Sequence, residues 1–242
     1  DLFTSDIEDP AEIEKYLVSY YAVSDYKAIN PEFRSLEDFK DLVATAHKND
    51  IYIILDWVPN HTGWDHPWIY EHPDYYTQNE AGEIIDPSNP ETGASWGWTD
   101  TADLNYSNPA MRTAMIDALR YWVKTADIDG YRMDVAHQVP VAFFEKATAS
   151  LQEIKPVFML AEAEQPNLME KAFDMHYAWE FHHLLNDISK GHKNLTELDA
   201  YLSKMDTVLA ADDINMNFIT NHDENSWAGT LAERMQAQKE IF

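Results

Sequence analysis

The 242-residue sequence predicts an α/β fold built on a parallel sheet. Three observations predict it. Short apolar runs rich in β-branched residues alternate with segments of helical periodicity. Polar residues of catalytic type recur at the carboxyl end of successive runs. One stretch, residues 57–107, breaks the rhythm: it is rich in Pro, Trp, Asp, Asn and Gly, and it is too long for a structureless loop in a compact domain. It reads as a small inserted domain that divides a main unit of residues 1–56 and 108–242.

The elements follow in chain order. Residues 6–17 are acidic and read as a helix opened by Asp9-Pro10. Ser35-Leu-Glu-Asp38 is a capping box, followed by Phe39, Leu42, Val43 and Ala46 at helical spacing. Ile51 to Asp56 is an apolar run of the kind buried in a parallel strand. Asn108-Pro109 opens a helix, with Asn as cap and Pro in the first turn. Its apolar face is Met111, Met115, Leu119, Trp122 and Val123. A strand is predicted over 128–134, a helix over 141–152 and a strand over 156–162. A short strand over 172–175, helices over 179–190 and 195–204, and a last strand over 216–220 complete the series.

Composition narrows the function. The formal net charge is −26, which excludes a nucleic-acid binder, because phosphate contacts need clusters of Lys and Arg. No apolar run approaches the roughly 18 residues needed to span a bilayer, so no membrane insertion is expected. With no cysteine, disulfides, thiolate metal sites and a Cys nucleophile are ruled out. The chain opens on Asp1 without a signal-peptide pattern; a periplasmic or secreted location is expected over a cytoplasmic one. Aromatic residues make up 13%, with eight Trp, which suits a sugar ligand. Trp64, Trp68, Trp96 and Trp98 read either as stacking platforms or as packing within the inserted segment.

The chemistry concentrates at strand ends. The runs are Asp56-Trp-Val-Pro-Asn60-His61, Arg132-Met-Asp134, Glu162 and Asn221-His222-Asp223. Side chains two apart on a strand share a face, so Arg132 and Asp134 point the same way. A guanidinium beside a carboxylate favours its ionised form, as a nucleophile requires. Glu162 follows the apolar Phe158-Met-Leu-Ala161, a setting expected to raise its pKa as a general acid requires. Two carboxyl groups pushed apart in this way form the pattern of glycoside cleavage. Singly, each motif also reads as structure: an ion pair for Arg132 and Asp134, a cap or solvated group for Glu162, turns for Asn60-His61 and His222-Asp223. Their shared position at the ends of separate strands points to a site, since barrel enzymes place theirs there.

Five motifs now stand in order: Asp56-Trp-Val-Pro-Asn-His61, Ala102-Asp-Leu-Asn105, Gly130-Tyr-Arg-Met-Asp134, Met159-Leu-Ala-Glu162 and Phe218-Ile-Thr-Asn-His-Asp223. By these the chain resembles the α-amylase family of glycoside hydrolases, near the bacterial amylase, neopullulanase and maltogenic-amylase types. The likeness runs from about Tyr20 to Arg234. It implies a (β/α)8 TIM barrel with a small domain inserted after the third strand, where 57–107 falls. It implies hydrolysis of α-glucosidic bonds in starch-like or maltooligosaccharide substrates with retention of configuration. Asp134 would be the nucleophile, Glu162 the acid and base, and Asp223 the group that holds sugar hydroxyls and the distorted ring. Tyr21, His61, Arg132 and His222 would bind the same sugar, with Arg132 also orienting Asp134 and Asp56 in support.

The resemblance implies no organic cofactor. Many members bind calcium between barrel and insertion, which points here to Asn60 and Asp103. A backbone carbonyl after the Arg-x-Asp motif is a further ligand, often at a Lys-His pair; this chain has Val135-Ala-His137-Gln138, with the His one place early. A zinc site on His61, His66 and His72 is disfavoured, because their spacing matches no compact zinc pattern. The alternatives are transglycosylation or isomerisation through the same glycosyl-enzyme, and a non-catalytic amylase-like fragment or sugar-binding module. The presence of all three carboxylates weighs against the last.

A barrel of this kind usually takes about 250 residues without insertions. Strands three to seven can be named, whereas the first two and the eighth cannot. The expectation is an incomplete barrel, truncated at both ends, with open edges that expose apolar surface. Such a segment alone is expected to be weak or inactive where a full-length parent is an active enzyme.

Overall fold

A computed structural model of the chain describes residues 19–89 and 92–235; the helix expected over 6–17 lies outside them. The strands are β1 (Ile54–Trp57), β2 (His61–Gly63), β3 (Thr101–Asp103), β4 (Gly130–Met133), β5 (Phe158–Ala161), β6 (Met175–Tyr177) and β7 (Ile214–Met216). Five of them make one parallel sheet in the order β1-β4-β5-β6-β7, and β2 and β3 pair apart from it as an antiparallel ribbon. These are consecutive parallel strands of a (β/α)8-type sheet, the fold class expected.

The helices are α1 (Leu36–His47), α2 (Trp68–Glu71), α3 (Pro109–Ala126), α4 (Val141–Gln152), α5 (Trp179–Ser189), α6 (Leu195–Val208), α7 (Glu224–Trp227) and α8 (Leu231–Arg234). Local chemistry starts them where the sequence places them. The Ser35 hydroxyl accepts from the Asp38 N–H while the Asp38 carboxylate accepts from the Ser35 N–H, a reciprocal cap that satisfies two orphan donors. The Asn108 side chain accepts from the N–H groups of Ala110 and Met111. The apolar face of α3, with Met111, Met115, Leu119 and Trp122, is buried against the sheet together with Phe143, Phe144 and Leu151 of α4. Each such side chain contributes about 1.5–3 kcal/mol by leaving water.

Gly130 sets how closely β4 approaches β5. A Cβ there would stand 1.8 Å from the Phe158 carbonyl oxygen, so a side chain would push the two strands apart. That approach carries the register Arg132↔Leu160 and Met133↔Ala161, while on the other side Asp56 pairs with Arg132.

Two strands lie off their expected positions. Met175–Tyr177 replaces 172–175, because the Asp174 N–H and carboxylate already bond to Met159 and fix the register. Ile214–Met216 replaces 216–220, because Phe218 stacks on His182 and the Ile219 carbonyl accepts from Arg234 instead of joining the sheet. Between β5 and β6 the described chain has a single 3-10 turn, Pro166–Leu168, and no α-helix. Among the described residues no strand pairs with the outer side of β1, and beside it lies a cavity of about 690 Å³ lined by Val23, Ile29, Phe39, Leu42 and Leu55.

Candidate active site

Arg132 is the hub. It is the third residue of β4, which lies between β1 and β5 in the sheet, and is 6% exposed. Its Nη1 lies 2.8 Å from Asp56 Oδ1 and 2.7 Å from Asp134 Oδ1, and its Nη2 lies 2.7 Å from Glu162 Oε1. The three acids come from the carboxyl ends of β1, β4 and β5, adjacent strands in exact register. One guanidinium therefore gathers three carboxylates that are far apart in the chain. Burial alone would disfavour its charge, but Glu162, Asp56 and Asp134 outweigh that and hold it protonated.

The two buried acids differ from expectation in one respect. Glu162 does not sit in an apolar pocket. It faces Arg132 and accepts a hydrogen bond of 2.8 Å from the Val135 N–H. Asp134 is the group pushed well above the usual carboxylate range, first by burial and then by the neighbouring Glu162 charge, against the pull of Arg132. Burial and the neighbouring Glu162 charge thus favour a proton on Asp134 toward neutral pH.

Val135 makes this contact from a left-handed backbone, φ 44° and ψ 41°. For a β-branched residue that conformation is strained. It turns the chain between Asp134 and Ala136 so that the Val135 N–H reaches Glu162 Oε2 while the Ala136 N–H reaches the Glu162 carbonyl.

A second group stands beside the hub. The Tyr21 hydroxyl donates to Asp56 Oδ2 at 3.1 Å, and His222 Nε2 lies 2.8 Å from the same hydroxyl. The two rings stack at 5.8 Å with 10° between their planes. Arg132 Cζ lies 6.0 Å from the Tyr21 ring centroid and 5.7 Å from that of Tyr177, within cation–π range. Asp223 follows, with Oδ2 3.6 Å from His222 Nε2. His61 is buried behind this group and hydrogen-bonds the Tyr21 backbone; burial pushes its pKa down to about 4, so its imidazole is neutral at pH 7.

The structure thus brings together Asp56, Arg132, Asp134, Glu162, Tyr21, His222, Asp223 and His61. Among the described contacts the Asp223 side chain is joined to His222, at a separation longer than a hydrogen bond, and not to Asp134 or Glu162.

The loop carrying His222 and Asp223 is held from behind by a buried polar cluster. His182 of α5 is fully buried, with Nε2 3.2 Å from Glu224 Oε2. Arg234 is 3% exposed and donates to the carbonyls of Ile219 and Gly229 and to Asn225 Oδ1, with Glu224 Oε2 3.9 Å away. This cluster and two direct contacts, Tyr177 to Arg132 Nε at 3.4 Å and Val135 to Glu162, escaped the sequence reading. The strand-end pattern could have found Tyr177, since it ends β6; placing that strand two residues early left it outside.

Asn60 and Asp103 stand where β2 meets β3, with His61 and Asp103 directly paired. Burial pushes Asp103 up to about 6, with Thr77 hydrogen-bonding to it and Asp86 adding repulsion. A desolvated carboxylate with a second acid near it offers the oxygen donors that a hard cation seeks, whereas the Asn60 amide contacts His61 Nδ1. Among the described residues no group of three or more His, Cys, Asp or Glu is arranged to hold a metal ion of any kind, and His66 packs against Tyr26 and Trp68. Of the four tryptophans, Trp68 is packing, with its ring against Tyr26 and Tyr75, whereas Trp64 and Trp96 are exposed. Among the described residues no helix is long and apolar enough to cross a membrane.

Residues 3–241 match the catalytic-domain family of the α-amylases. The chain is 27% identical to a cyclomaltodextrin glucanotransferase of a Bacillus species, over 91% of this chain and 35% of that protein. Among solved structures, a maltogenic α-amylase from Thermotoga neapolitana superposes with a TM-score of 0.76 at 32% identity, over 84% of this chain and 46% of that one. An α-amylase from Lactobacillus plantarum gives 0.76 at 30% identity, over 84% of this chain and 50% of that one. The chain spans about a third of the glucanotransferase and about half of each amylase.

Proposed function

This chain belongs to the α-amylase family, and we propose on that premise that it carries a site for cleaving α-glucosidic bonds of starch-like chains or maltooligosaccharides with retention. The observation that carries the proposal is the Arg132 guanidinium held against Asp56, Asp134 and Glu162 at the ends of three adjacent parallel strands.

In this reading the pair Asp134 and Glu162 enters the reaction with one proton. The mechanism requires Asp134 ionised and Glu162 protonated when the sugar binds; Arg132 Nη1, 2.7 Å from Asp134, favours the charge on Asp134. Glu162 gives that proton to the leaving glycosidic oxygen as Asp134 attacks the anomeric carbon. The deprotonated Glu162 then takes a proton from water, whose oxygen displaces Asp134 from the sugar. Tyr21, stacked on His222 and tied to Asp56, offers a flat ring to the sugar. His222 and neutral His61 offer N–H donors to hydroxyls, and Asp223 accepts from them. Incubating the chain with maltooligosaccharides and measuring reducing ends tests the reading: release that disappears on Asp134→Asn supports it, and release that persists sinks it.

Glycosyl transfer is the second reading. It shares the intermediate, with a sugar hydroxyl in place of water, and the likeness to a glucanotransferase over 91% of the chain favours keeping it. Added maltose distinguishes the two, since a transferase lengthens it. Residues 57–107, with their own ribbon β2–β3, are proposed as the small inserted domain of the barrel. Asn60 and Asp103 would hold a calcium ion at its base, where the ion would neutralise Asp103 and fasten the ribbon. A rise in melting temperature on adding calcium, lost in Asp103→Asn, checks that assignment.

A further inference from the structure

We propose that Asp129 and Asp174 are positioning residues: from the end of the sheet opposite to the site, they lock the strand register that brings Arg132, Glu162 and Tyr177 together. The proposal rests on the glucan reading above and adds to it the residues that hold its geometry.

Each aspartate stands one position before a strand, Asp129 before β4 and Asp174 before β6. The two repeat one set of bonds. The Asp129 N–H donates to the Ile53 carbonyl at 2.7 Å, the Ile53 N–H donates back to Asp129 Oδ2 at 2.8 Å, and the Asp129 carbonyl accepts from the Phe158 N–H at 2.8 Å. The Asp174 N–H donates to the Met159 carbonyl at 2.9 Å, the Met159 N–H donates back to Asp174 Oδ2 at 2.8 Å, and the Asp174 carbonyl accepts from the Ile214 N–H at 3.0 Å. In a parallel ladder such an N–H meets a main-chain carbonyl. Here a carboxylate takes that place and closes a ring with one residue of the neighbouring strand. The first aspartate joins β1, β4 and β5, and the second joins β5, β6 and β7, so together they fasten all five strands of the parallel sheet.

The strands need such a lock because they are short. β6 meets β5 through Leu160↔Met175 and Ala161↔His176, and a 3-10 turn rather than an α-helix leads into it. A slip of one residue would turn Tyr177 away from Arg132 to the other face of the sheet. Asp174 stands three residues before Tyr177, and Asp129 three before Arg132, about 10 Å along an extended strand. Their influence on the site therefore runs through the ladder. Asp129 is itself held from two sides, with His47 Nε2 of α1 2.8 Å from Oδ2 and Lys155 Nζ 3.1 Å from Oδ1. Burial alone would raise its pKa, but the Ile53 N–H, His47 and Lys155 outweigh that and hold it below the usual carboxylate range.

Amide hydrogen exchange of the chain, read by nuclear magnetic resonance, tests the lock without any need for turnover. Asp129→Ala is expected to speed exchange about tenfold or more at Ile53 and also at the far end, at the Asp134 and Glu162 N–H groups. Asp174→Ala is milder because that residue is exposed; it should speed exchange about threefold to tenfold at Met159 and at Tyr177. Asp174→Asn, which keeps an acceptor oxygen, restores most of the protection. Leu151→Ala, a core change away from both locks, speeds exchange evenly through the sheet. Faster exchange confined to Ile53 and Met159, or spread evenly as in Leu151→Ala, overturns the proposal. Asp174→Ala decides alone where Asp129→Ala does not fold. In glucan cleavage Asp174→Ala should lower kcat about threefold to tenfold with KM within about twofold, and Asp174→Asn should recover most of the rate. If the unaltered chain releases no reducing ends, the glucan reading fails and the exchange data still judge the lock.

Discussion

Arg132 and its partners Asp134 and Glu162 are almost wholly buried between central strands, whereas His222 and Asp223 stand partly exposed on the loop that follows β7. The first group is positioned by sheet register. Asp56 is paired with Arg132, and the hydrogen bonds run on past the strand ends, with the Asp134 N–H on the Trp57 carbonyl and the Glu162 N–H on that of Met133. The second group has no ladder to define it. Its place depends on Tyr21 in front and on the buried cluster of His182, Glu224 and Arg234 behind. The difference teaches that one site uses two means of preorganisation: backbone pairing for the groups that would exchange a proton and form a bond, and side-chain packing for the groups that would hold hydroxyls.

The largest effect is expected on the ladder side. Asp134→Asn should reduce glucan cleavage on the order of 10³-fold or more while glucan binding persists, which comparing initial rates with calorimetric affinity checks. The same variant has a pH signature. Asp134 binds its proton more tightly folded than unfolded, so its contribution to stability is complete below about pH 4 and is lost as pH rises toward 7. Removing the titrating group should therefore raise the melting temperature near pH 7 and leave it nearly unchanged near pH 4. A shift of the same size at both pH values would break this account.

Arg132→Met comes next. It leaves three carboxylates facing one another without their cation and should cost about 3–5 kcal/mol of stability, measured by urea unfolding. On the packing side the effect should be smaller and of another kind. Glu224→Gln keeps the shape but weakens the hold on His182 and Arg234, at a cost of about 1–3 kcal/mol. If the comparison is right, it raises KM more than it lowers kcat, and Glu224→Asp restores part of the KM. An equal loss in kcat would place Glu224 with the ladder group.

The smallest effect concerns Val135. Its left-handed backbone is strained, so Val135→Gly should gain on the order of 1 kcal/mol in unfolding experiments. Because glycine also loosens the N–H that faces Glu162, the pH profile of cleavage should broaden. Destabilisation by glycine would show that the side chain's packing outweighs the strain.

The contrast also explains what the sequence made legible. Asp56, Arg132, Asp134 and Glu162 are read from short apolar runs that end in polar residues, because strand periodicity and strand ends are local signals. Ser35, Asn108 and the face of α3 were legible for the same reason. Segments 172–175 and 216–220 misplaced β6 and β7, since apolar character there serves the core and the loop cluster as well as the sheet. Tyr177 was missed because the strand it ends was placed too early; Val135 and the trio His182, Glu224 and Arg234 were not legible. The roles of these last four rest on a positive φ and on contacts between residues up to 52 positions apart, and neither leaves a periodic mark. The expected apolar setting of Glu162 failed because neighbours in sequence are not neighbours in space: Arg132 and the Val135 N–H occupy that position.

The central claim is that Asp134 attacks the sugar while Glu162 handles the proton. A fluorinated glucosyl fluoride, which slows release of the glycosyl-enzyme, tests it most directly when the incubated chain is digested and its peptides are weighed. The account predicts a glycosyl adduct on the peptide containing Asp134 and none on that containing Glu162. An adduct on Glu162, or cleavage of glucan with no adduct on Asp134, would contradict it.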